Sequence, residues 1–451
     1  MKKKVFGIEV PPRAEGNELS CLPKELWSKV SPQLCGFSSK GDYLSWDEFI
    51  TRTPQFKGYK EATWHLLKLK RNLEVIDKLF AYKSDGKVAL VFYSISSLVH
   101  KIHKIERLST LKHLKLQGND SQRYLTTSLI MEESISSAQM EGAATTRSVA
   151  KALLSTGREP RDFSERMIIN NYQLMKYAKA SIHEPLTIEL IQKLNMVATQ
   201  DVSENDHVAG MIREGDIAVR GVVDDELIHQ APDANKVSLL LQNLCEFANE
   251  EHEGAEFIHP IVKAIILHFM VGYIHPFADG NGRTARALFY WFMLKSGYDN
   301  FEFISISSLL KKSMNRYARA FVKSEVDEFD LTHFIDFNMG ILIRALEGFT
   351  TFMQKKIEDI EKTRLDLHKS PYFRQFKHPH ITIIKKALED AGREFTVKEW
   401  QTEFNVTAAA SRGYLDKLVD LNLLIKSKER GSRQYKYLAP RNLKERLKID
   451  Q

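Results

Sequence analysis

The sequence predicts a mainly α fold: a helical core with one β-hairpin inserted in it, and a smaller C-terminal module of three helices and a β-ribbon. Three observations lead there. Apolar residues recur at helical spacing over long stretches, from Tyr59 to Tyr82, Lys87 to Leu116, Arg166 to Met196, Ile261 to Tyr273 and Thr284 to Lys295. Strand signals are scarce outside two short places, 217–229 and 423–438. Beyond Pro371 and Pro379 short helices alternate with β-prone pieces, which marks a boundary.

Composition sets the bounds. At 451 residues and 43% hydrophobic content the chain should hold two or three globular domains with real cores. Cys21, Cys35 and Cys245 have no metal-ligand spacing and make no even-numbered framework, which favours a reducing compartment and a cytoplasmic location. The start Met1-Lys2-Lys3-Lys4 is basic like an export signal, but Glu9, Pro11 and Arg13 arrive before any apolar core, so none is read. No run approaches the roughly eighteen apolar residues of a membrane span, so no membrane contact is expected. The net charge of +7 is too small to name a partner.

Taken in order, the first hundred or so residues, with Trp46, Phe49, Trp64 and Leu67, form an N-terminal helical segment over 1–110. A core over 111–368 follows. Within it Tyr124 to Met140 reads as a helix closed by Glu141-Gly142, with Ser137 and Glu141 four apart on one face. The helix dipole opposes a glutamate there by a few tenths to about 1 kcal/mol, so Glu141 should have a cationic partner, and Arg286 is the expected one. Between about 210 and 232, Ile217 to Val219 and Leu227 to His229 flank Gly221 and acidic residues as a hairpin. Ile261 to Tyr273, begun by Pro260, and Thr284 to Lys295, ended near Gly297, are two buried helices. A charged helix from Leu342 toward His368 leaves the core as a connector.

Between the two buried helices lies the stretch that carries chemistry, His275-Pro276-Phe277-Ala278-Asp279-Gly280-Asn281-Gly282-Arg283-Thr284-Ala285-Arg286. Asp279 to Gly282 should start the second helix, where free N–H groups and the positive dipole end make an anion site. Gly280 and Gly282 let the backbone approach phosphate oxygens without a Cβ in the way. Arg283 and Arg286, three apart, can point two forks at one polyphosphate. Asp279 offers a hard oxygen to Mg²⁺. His275, with an ordinary pKa of about 6.5, can accept a hydroxyl proton at neutral pH. A dinucleotide fingerprint is the competing reading of Gly280-x-Gly282, but that motif follows a strand and this one follows a helix.

This run resembles the signature loop of Fic-domain proteins, H-x-F-x-D/E-G-N-G-R-x-x-R, and agrees with it at every fixed position. The resemblance implies a Fic-type helical core and a protein adenylyltransferase using ATP and Mg²⁺. It assigns His275 as base for a target hydroxyl and Asp279 to the metal. Phe277, Gly280, Asn281 and Gly282 belong to the nucleotide loop, with Asn281 and the amides on the α-phosphate. Arg283 and Arg286 take the β- and γ-phosphates. The kinase-like Doc branch usually has lysine where Gly282 stands, so Gly282 favours nucleotidyl transfer.

Ser137-Ala138-Gln139-Met140-Glu141-Gly142 is similar to the inhibitory S/T-x-x-x-E-G/N motif that accompanies many Fic domains, in the class where an N-terminal helix of the same chain inhibits. There the glutamate pairs with the second arginine of the loop and blocks the productive γ-phosphate position. In some relatives it positions a water that removes AMP, and Glu141 is open to either role or both. The hairpin resembles the Fic flap, with G-x-x-R at Gly210 to Arg213. Its implied role is to pair edge-on with an extended target segment, Ile217 and Val219 lying on the docking strand.

The last module, 376–440, has helices from Ile381 to Leu388, Lys398 to Phe404 and, capped by Thr407, Ala408 to Leu421. A ribbon then flanks Glu429-Arg430-Gly431-Ser432-Arg433. This resembles a winged helix-turn-helix, with Ser411 and Arg412 on the third helix and Lys428, Arg430 and Arg433 on the wing as nucleic-acid contacts. From Lys426 to Lys448 nine Lys or Arg stand against Glu429 and Glu445. Such modules also dock proteins or dimerise, so DNA, protein and homo-oligomer remain open. Two function classes follow: an autoinhibited adenylyltransferase acting on a target protein's Tyr, Thr or Ser hydroxyl, and a DNA-binding regulator whose nucleotide site is a sensor.

Overall fold

Helical periodicity governs most of the chain as expected, and the computed structural model describes residues 4–13, 22–29, 43–73, 75–83, 86–93, 96–110, 119–202, 208–220, 226–404, 406–428 and 435–449. Short strands β1 (Lys4–Val5) and β2 (Ile8–Glu9) precede α1 (Lys24–Lys29), α2 (Trp46–Arg52) and α3 (Lys60–Leu73). β3 (Val75–Lys83) and β4 (Gly86–Tyr93) pair as an antiparallel hairpin ahead of α4 (Ser96–Ser109). α5 (Asn119–Met140), α6 (Arg147–Thr156), α7 (Phe163–Ala180) and α8 (Ile188–Thr199) lead to a second hairpin, β5 (Ala218–Arg220) and β6 (Leu227–Gln230). Then come α9 (Val237–Asn249), α10 (Pro260–Ile274), α11 (Asn281–Lys295), α12 (Ser307–Lys311), α13 (Met314–Val326) and the 36-residue α14 (Thr332–Leu367). The chain closes with α15 (His378–Glu389), β7 (Glu394–Thr396), α16 (Val397–Phe404), α17 (Ala408–Asp420), β8 (Ile425–Lys428), β9 (Tyr435–Leu438) and α18 (Leu443–Leu447).

Two helical expectations are corrected, and a third stretch, helical as expected, resolves into two helices. Residues 75–83 and 86–93 pair as antiparallel strands rather than helix, because both pieces are rich in β-branched and aromatic residues (Val75, Ile76, Phe80, Tyr82; Val88, Val91, Phe92, Tyr93) and the sequence joining them carries the turn dipeptide Asp85-Gly86. The stretch 166–196 is two helices, parted before Pro185, which lacks an N–H and cannot continue a helix. The long helix starts at Thr332, ten residues before the expected Leu342, and residues 111–118, including Leu116, lie outside the described residues.

The chain forms two compact units, Met1–Arg107 with Gln173–Phe301 and Ile306–Arg344, and Leu108–Tyr172 with Glu302–Ser305 and Ala345–Gln451. This cuts across the expected partition at 110 and 368. In the first unit α10 is buried on nearly every face and is the central post of the core, with α11 packed along it and α8 and α9 alongside. The N-terminal segment joins this unit through specific contacts. Trp46, Phe49 and Trp64 form an aromatic cluster, and β4 reaches the start of α14 with Leu331 N–H donating to Val91 O at 2.8 Å. Lys68 Nζ lies 3.0 Å from Asp327 and 3.7 Å from Asp330, two buried carboxylates beside His333, so an ammonium meets their charge.

The second unit has its own core of Ile383, Ile384, Phe395, Trp400, Phe404, Leu415, Leu418 and Tyr437. Its three-stranded sheet has the order β7-β9-β8, and α16 lies against α5 and α6. Lys398 Nζ donates to Gly157 O, the left-handed cap of α6, at 3.2 Å. Among the described residues no helix is long and apolar enough to cross a membrane.

Candidate active site

The site is built at the break between α10 and α11. α10 ends on His275, which adopts a left-handed conformation at φ 49°, ψ 57°. For a residue with a Cβ this costs on the order of 1–3 kcal/mol and persists only where neighbours fix it. Arg213 supplies the fixing. It is 7% exposed; its Nε donates to His275 O at 2.8 Å, Nη1 to Gly215 O at 2.7 Å, and Nη2 to Pro232 O at 2.5 Å and Ile274 O at 3.3 Å. Its own N–H donates to Pro276 O at 2.9 Å, beside a bridge between Ile212 and Phe277. The carbonyls of Ile274, His275 and Pro276, at and just past the end of α10, are thereby satisfied.

His275 Nδ1 lies 3.2 Å from Gly272 O. A carbonyl only accepts, so Nδ1 carries the proton and the neutral ring keeps its lone pair on Nε2. Next, Gly280 takes φ 80° as the N-cap of α11, and a Cβ there would stand 2.5 Å from Thr199 Cγ2 and 2.8 Å from Asn195 Nδ2. Gly280 is required by shape as well as by φ. Asn281 and Gly282 open α11, so their N–H groups belong to its first, unpaired turn.

Other members of the loop hold it together. Asn281, 4% exposed, accepts from Phe277 N–H at 3.0 Å and donates to Phe277 O at 2.7 Å, stapling the buried Phe277 into place. Asp279 accepts from the Gly280 N–H and, at 2.8 Å, from Arg283 Nη2. Arg283 is buried beneath the turn, with Nη1 on Ala198 O at 2.8 Å, while its buried Nε has no hydrogen-bond partner among the described residues. Arg286 is also buried, and with the burial of His268 it depresses that imidazole: desolvation first and the Arg286 charge second push His268 down to about 3.

Of the four residues expected to dock a target, Gly210 and Arg213 are corrected. Both are buried and hold the hairpin to the loop, Gly210 at φ 80° with its Cβ position filled by Gln192 O and Met196. Ile217 and Val219 remain partly exposed on the β5 side, while residues 221–225 lie outside the described residues. β5 and β6 pair antiparallel, Val219 opposite His229.

Asn195 on α8 is a hub that sequence reasoning missed. Its amide donates to Asp279 O at 2.8 Å and to Thr284 Oγ at 3.2 Å, and its oxygen accepts from Gly210 N–H at 3.1 Å. One side chain thus joins the loop, α11 and the hairpin's start. The only signal in the sequence is an amide among apolar residues of a helix that should bury them, which is weak.

In the second unit α5 ends at Met140, with Ser137 buried, Glu141 and Gly142 exposed, and Gly142 at φ 100° closing the turn. In the C-terminal module Ser411 is corrected as a surface contact: it is fully buried and donates to Val397 O at 2.8 Å, tying α17 to α16. Arg412 and Lys428 are exposed; Arg430 and Arg433 lie outside the described residues. Cys245 is buried and its thiol is pushed up to about 12, chiefly by desolvation, which disfavours the thiolate; Cys21 and Cys35 lie outside the described residues.

Residues 185–293 match the Fic/DOC family. The protein adenylyltransferase Fic of Drosophila persimilis is 28% identical over 252 residues, 55% of this chain and 45% of that protein. That of Drosophila virilis is 29% identical over 155 residues, 34% of this chain and 30% of that protein. The chain spans less than half the length of these curated relatives. Among solved structures it is similar to a Fic family protein from Desulfovibrio desulfuricans G20, with a TM-score of 0.49 and 17% identity over 78% of this chain and 98% of that one.

Proposed function

We propose that the protein is an autoinhibited protein adenylyltransferase that transfers AMP from ATP to a Tyr, Thr or Ser hydroxyl of a target protein, or of itself, in the cytoplasm. The observation that carries this is the α10–α11 junction, where a clamped, left-handed His275 stands beside the first turn of α11 over a buried guanidinium whose Nε meets no acceptor among the described residues. The match of residues 185–293 and the relatives named protein adenylyltransferase Fic support the same reading.

In this mechanism Nε2 of His275 takes the hydroxyl proton as the oxygen bonds to the α-phosphorus. The bond from that phosphorus to the bridging oxygen breaks, and pyrophosphate leaves with the electron pair. General-base catalysis of this kind is worth roughly 10²–10⁴ in rate. The amides of Asn281 and Gly282 and the α11 dipole stabilise charge on the α-phosphate. Arg283 and Arg286 are assigned to the outer phosphates. Asp279 fits Mg²⁺: its side chain is 41% exposed, and a carboxylate offers about four lone-pair sites, more than its two contacts use. When bound, Mg²⁺ would offset phosphate charge.

Inhibition is assigned to Glu141, competing for Arg286. A charge-assisted pair of about 1.5–3 kcal/mol would suppress transfer ten- to a hundredfold or more. Incubation with α-labelled ATP and Mg²⁺ tests both assignments. Labelling should rise in Glu141→Gly and vanish in His275→Ala; equal labelling in all three proteins refutes the mechanism. Loss of pre-formed AMP-protein in wild type but not in Glu141→Gly would make Glu141 hydrolytic as well.

A second reading rests on the C-terminal module. The α15–α17 helices with their three-stranded sheet support a winged helix-turn-helix, and exposed Arg412 and Lys428 favour DNA contact, with the nucleotide site as a sensor. Salt-dependent duplex binding without AMP transfer in any variant would favour this regulator over the enzyme.

A further inference from the structure

His229 stands outside the roles given so far. It lies on β6, is 4% exposed, and both ring nitrogens face acceptors: Nε2 is 2.8 Å from Tyr273 O in the last turn of α10, and Nδ1 is 2.6 Å from Glu325 Oε1 near the end of α13. The Nδ1 contact falls outside hydrogen-bond geometry, so charge holds it more than direction. A neutral ring would turn a lone pair on either the carbonyl or the carboxylate. Both contacts are favourable only for the imidazolium.

We propose that His229 is a positioning residue, which as an imidazolium ties the second strand of the hairpin to the end of α10, two residues before His275, and to α13. The claim rests on the reading of that hairpin as the platform that presents the hydroxyl. The groups facing the ring are Glu325 and Phe321 from α13, Tyr273 from α10, and Arg213 from the segment entering the hairpin. Burial opposes the charge most strongly, but Glu325 and the Tyr273 carbonyl together outweigh it and Arg213 pushes weakly the other way, so the pKa stands above the ordinary histidine value. The sign follows: the tie is complete below the unfolded value of about 6.5 and is lost as pH rises through the raised, folded value. At the substrate end, this removes positioning from the hairpin without touching His275 itself. The expected transfer profile therefore has an alkaline limb set by His229.

The experiment uses full-length protein with ¹⁵N-histidine, the His229 signals being assigned by their loss in His229→Gln. At pH 6, below the ordinary histidine value, both ring nitrogens should be protonated, and Glu325→Gln should lower the titration midpoint. A single-proton tautomer at pH 6 overturns the proposal. Hydrogen exchange at 218–220 and 227–230 should quicken about tenfold in Glu325→Gln at pH 7; unchanged protection also overturns it. In a Glu141→Gly background, the alkaline limb of self-labelling with α-labelled ATP should move to lower pH on adding Glu325→Gln, and an unmoved limb overturns the positioning role. If the Glu141→Gly parent transfers no AMP at all, the adenylyltransferase reading fails, while the ring spectra and exchange still decide the tie. If His229→Gln does not fold, Glu325→Gln carries every arm, with assignment by elimination against the other histidines.

Discussion

Gly280 and Gly282 sit two residues apart in one motif, yet alanine should act on them in opposite ways. Gly280 has φ 80°, and a Cβ would meet Thr199 Cγ2 at 2.5 Å and Asn195 Nδ2 at 2.8 Å. The left-handed conformation costs an L-residue about 1–2 kcal/mol. Forcing two packed side chains aside adds about 1–3 kcal/mol. Gly280→Ala should therefore lose roughly 2–5 kcal/mol and distort the turn. Gly282 is inside the first turn of α11, where replacing glycine by alanine stabilises a helix by about 0.5–1 kcal/mol. Under the proposed function, its Cβ would instead intrude where phosphate oxygens approach the amides. Gly282→Ala should keep or raise the urea midpoint, read by fluorescence of the buried Trp291 on α11, and weaken MgATP binding about tenfold or more by calorimetry. Unaltered ATP affinity in Gly282→Ala would refute the close-approach argument. An unshifted midpoint in Gly280→Ala would refute the shape argument.

Two further outcomes are expected. Arg213→Lys replaces a fork serving four carbonyls with a single ammonium, leaves buried oxygens unsatisfied, and should cost about 2–4 kcal/mol, measured as a lowered thermal midpoint with transfer lost in parallel. His268, held neutral with its pKa at about 3, makes stability fall with acid: below the unfolded value of about 6.5 the unfolded chain binds a proton that the folded one refuses, at about 1.4 kcal/mol per pH unit. The loss runs from about pH 6.5 toward 3, and His268→Phe should flatten that slope in urea midpoints taken across this range; an unchanged slope would show that the ring charges in the folded state.

Legibility in the sequence followed the range of the interactions. The α10–loop–α11 unit was readable because proline, glycine and helical period act within a few residues, and β5 and β6 emerged within one residue of their expected places. The β3–β4 hairpin was not, since an apolar run of mixed period fits helix or strand until its turn is weighed. Nor could the left-handed turn at His275 be read, because only glycine advertises that conformation and here Arg213, 62 residues away, enforces it. Asn195 binds a carbonyl 84 residues along the chain, and nothing local distinguishes it from any amide on a helix. The division into two units, which groups α5 with the C-terminal helices, depends on packing of the same long-range kind.

The geometry also redistributes labour within the motif. Asn281 spends both ends of its amide on Phe277, Gly280 is demanded by Thr199 and Asn195, and Arg213 is consumed by carbonyls. These residues shape backbone. Under the proposed function, the group left to meet a nucleotide is the one with no side-chain identity, the N–H groups of α11's first turn. Such a site gains its selectivity from position rather than from contacts, because preorganised amides stabilise developing charge without moving. A substitution that leaves every contacting group intact, but releases one of these staples, should then lower kcat more than it raises KM for ATP. The hairpin is clamped to the same backbone through Arg213 and His229, so under the proposed function errors in its placement and errors in the loop would reach the reacting atoms by one route.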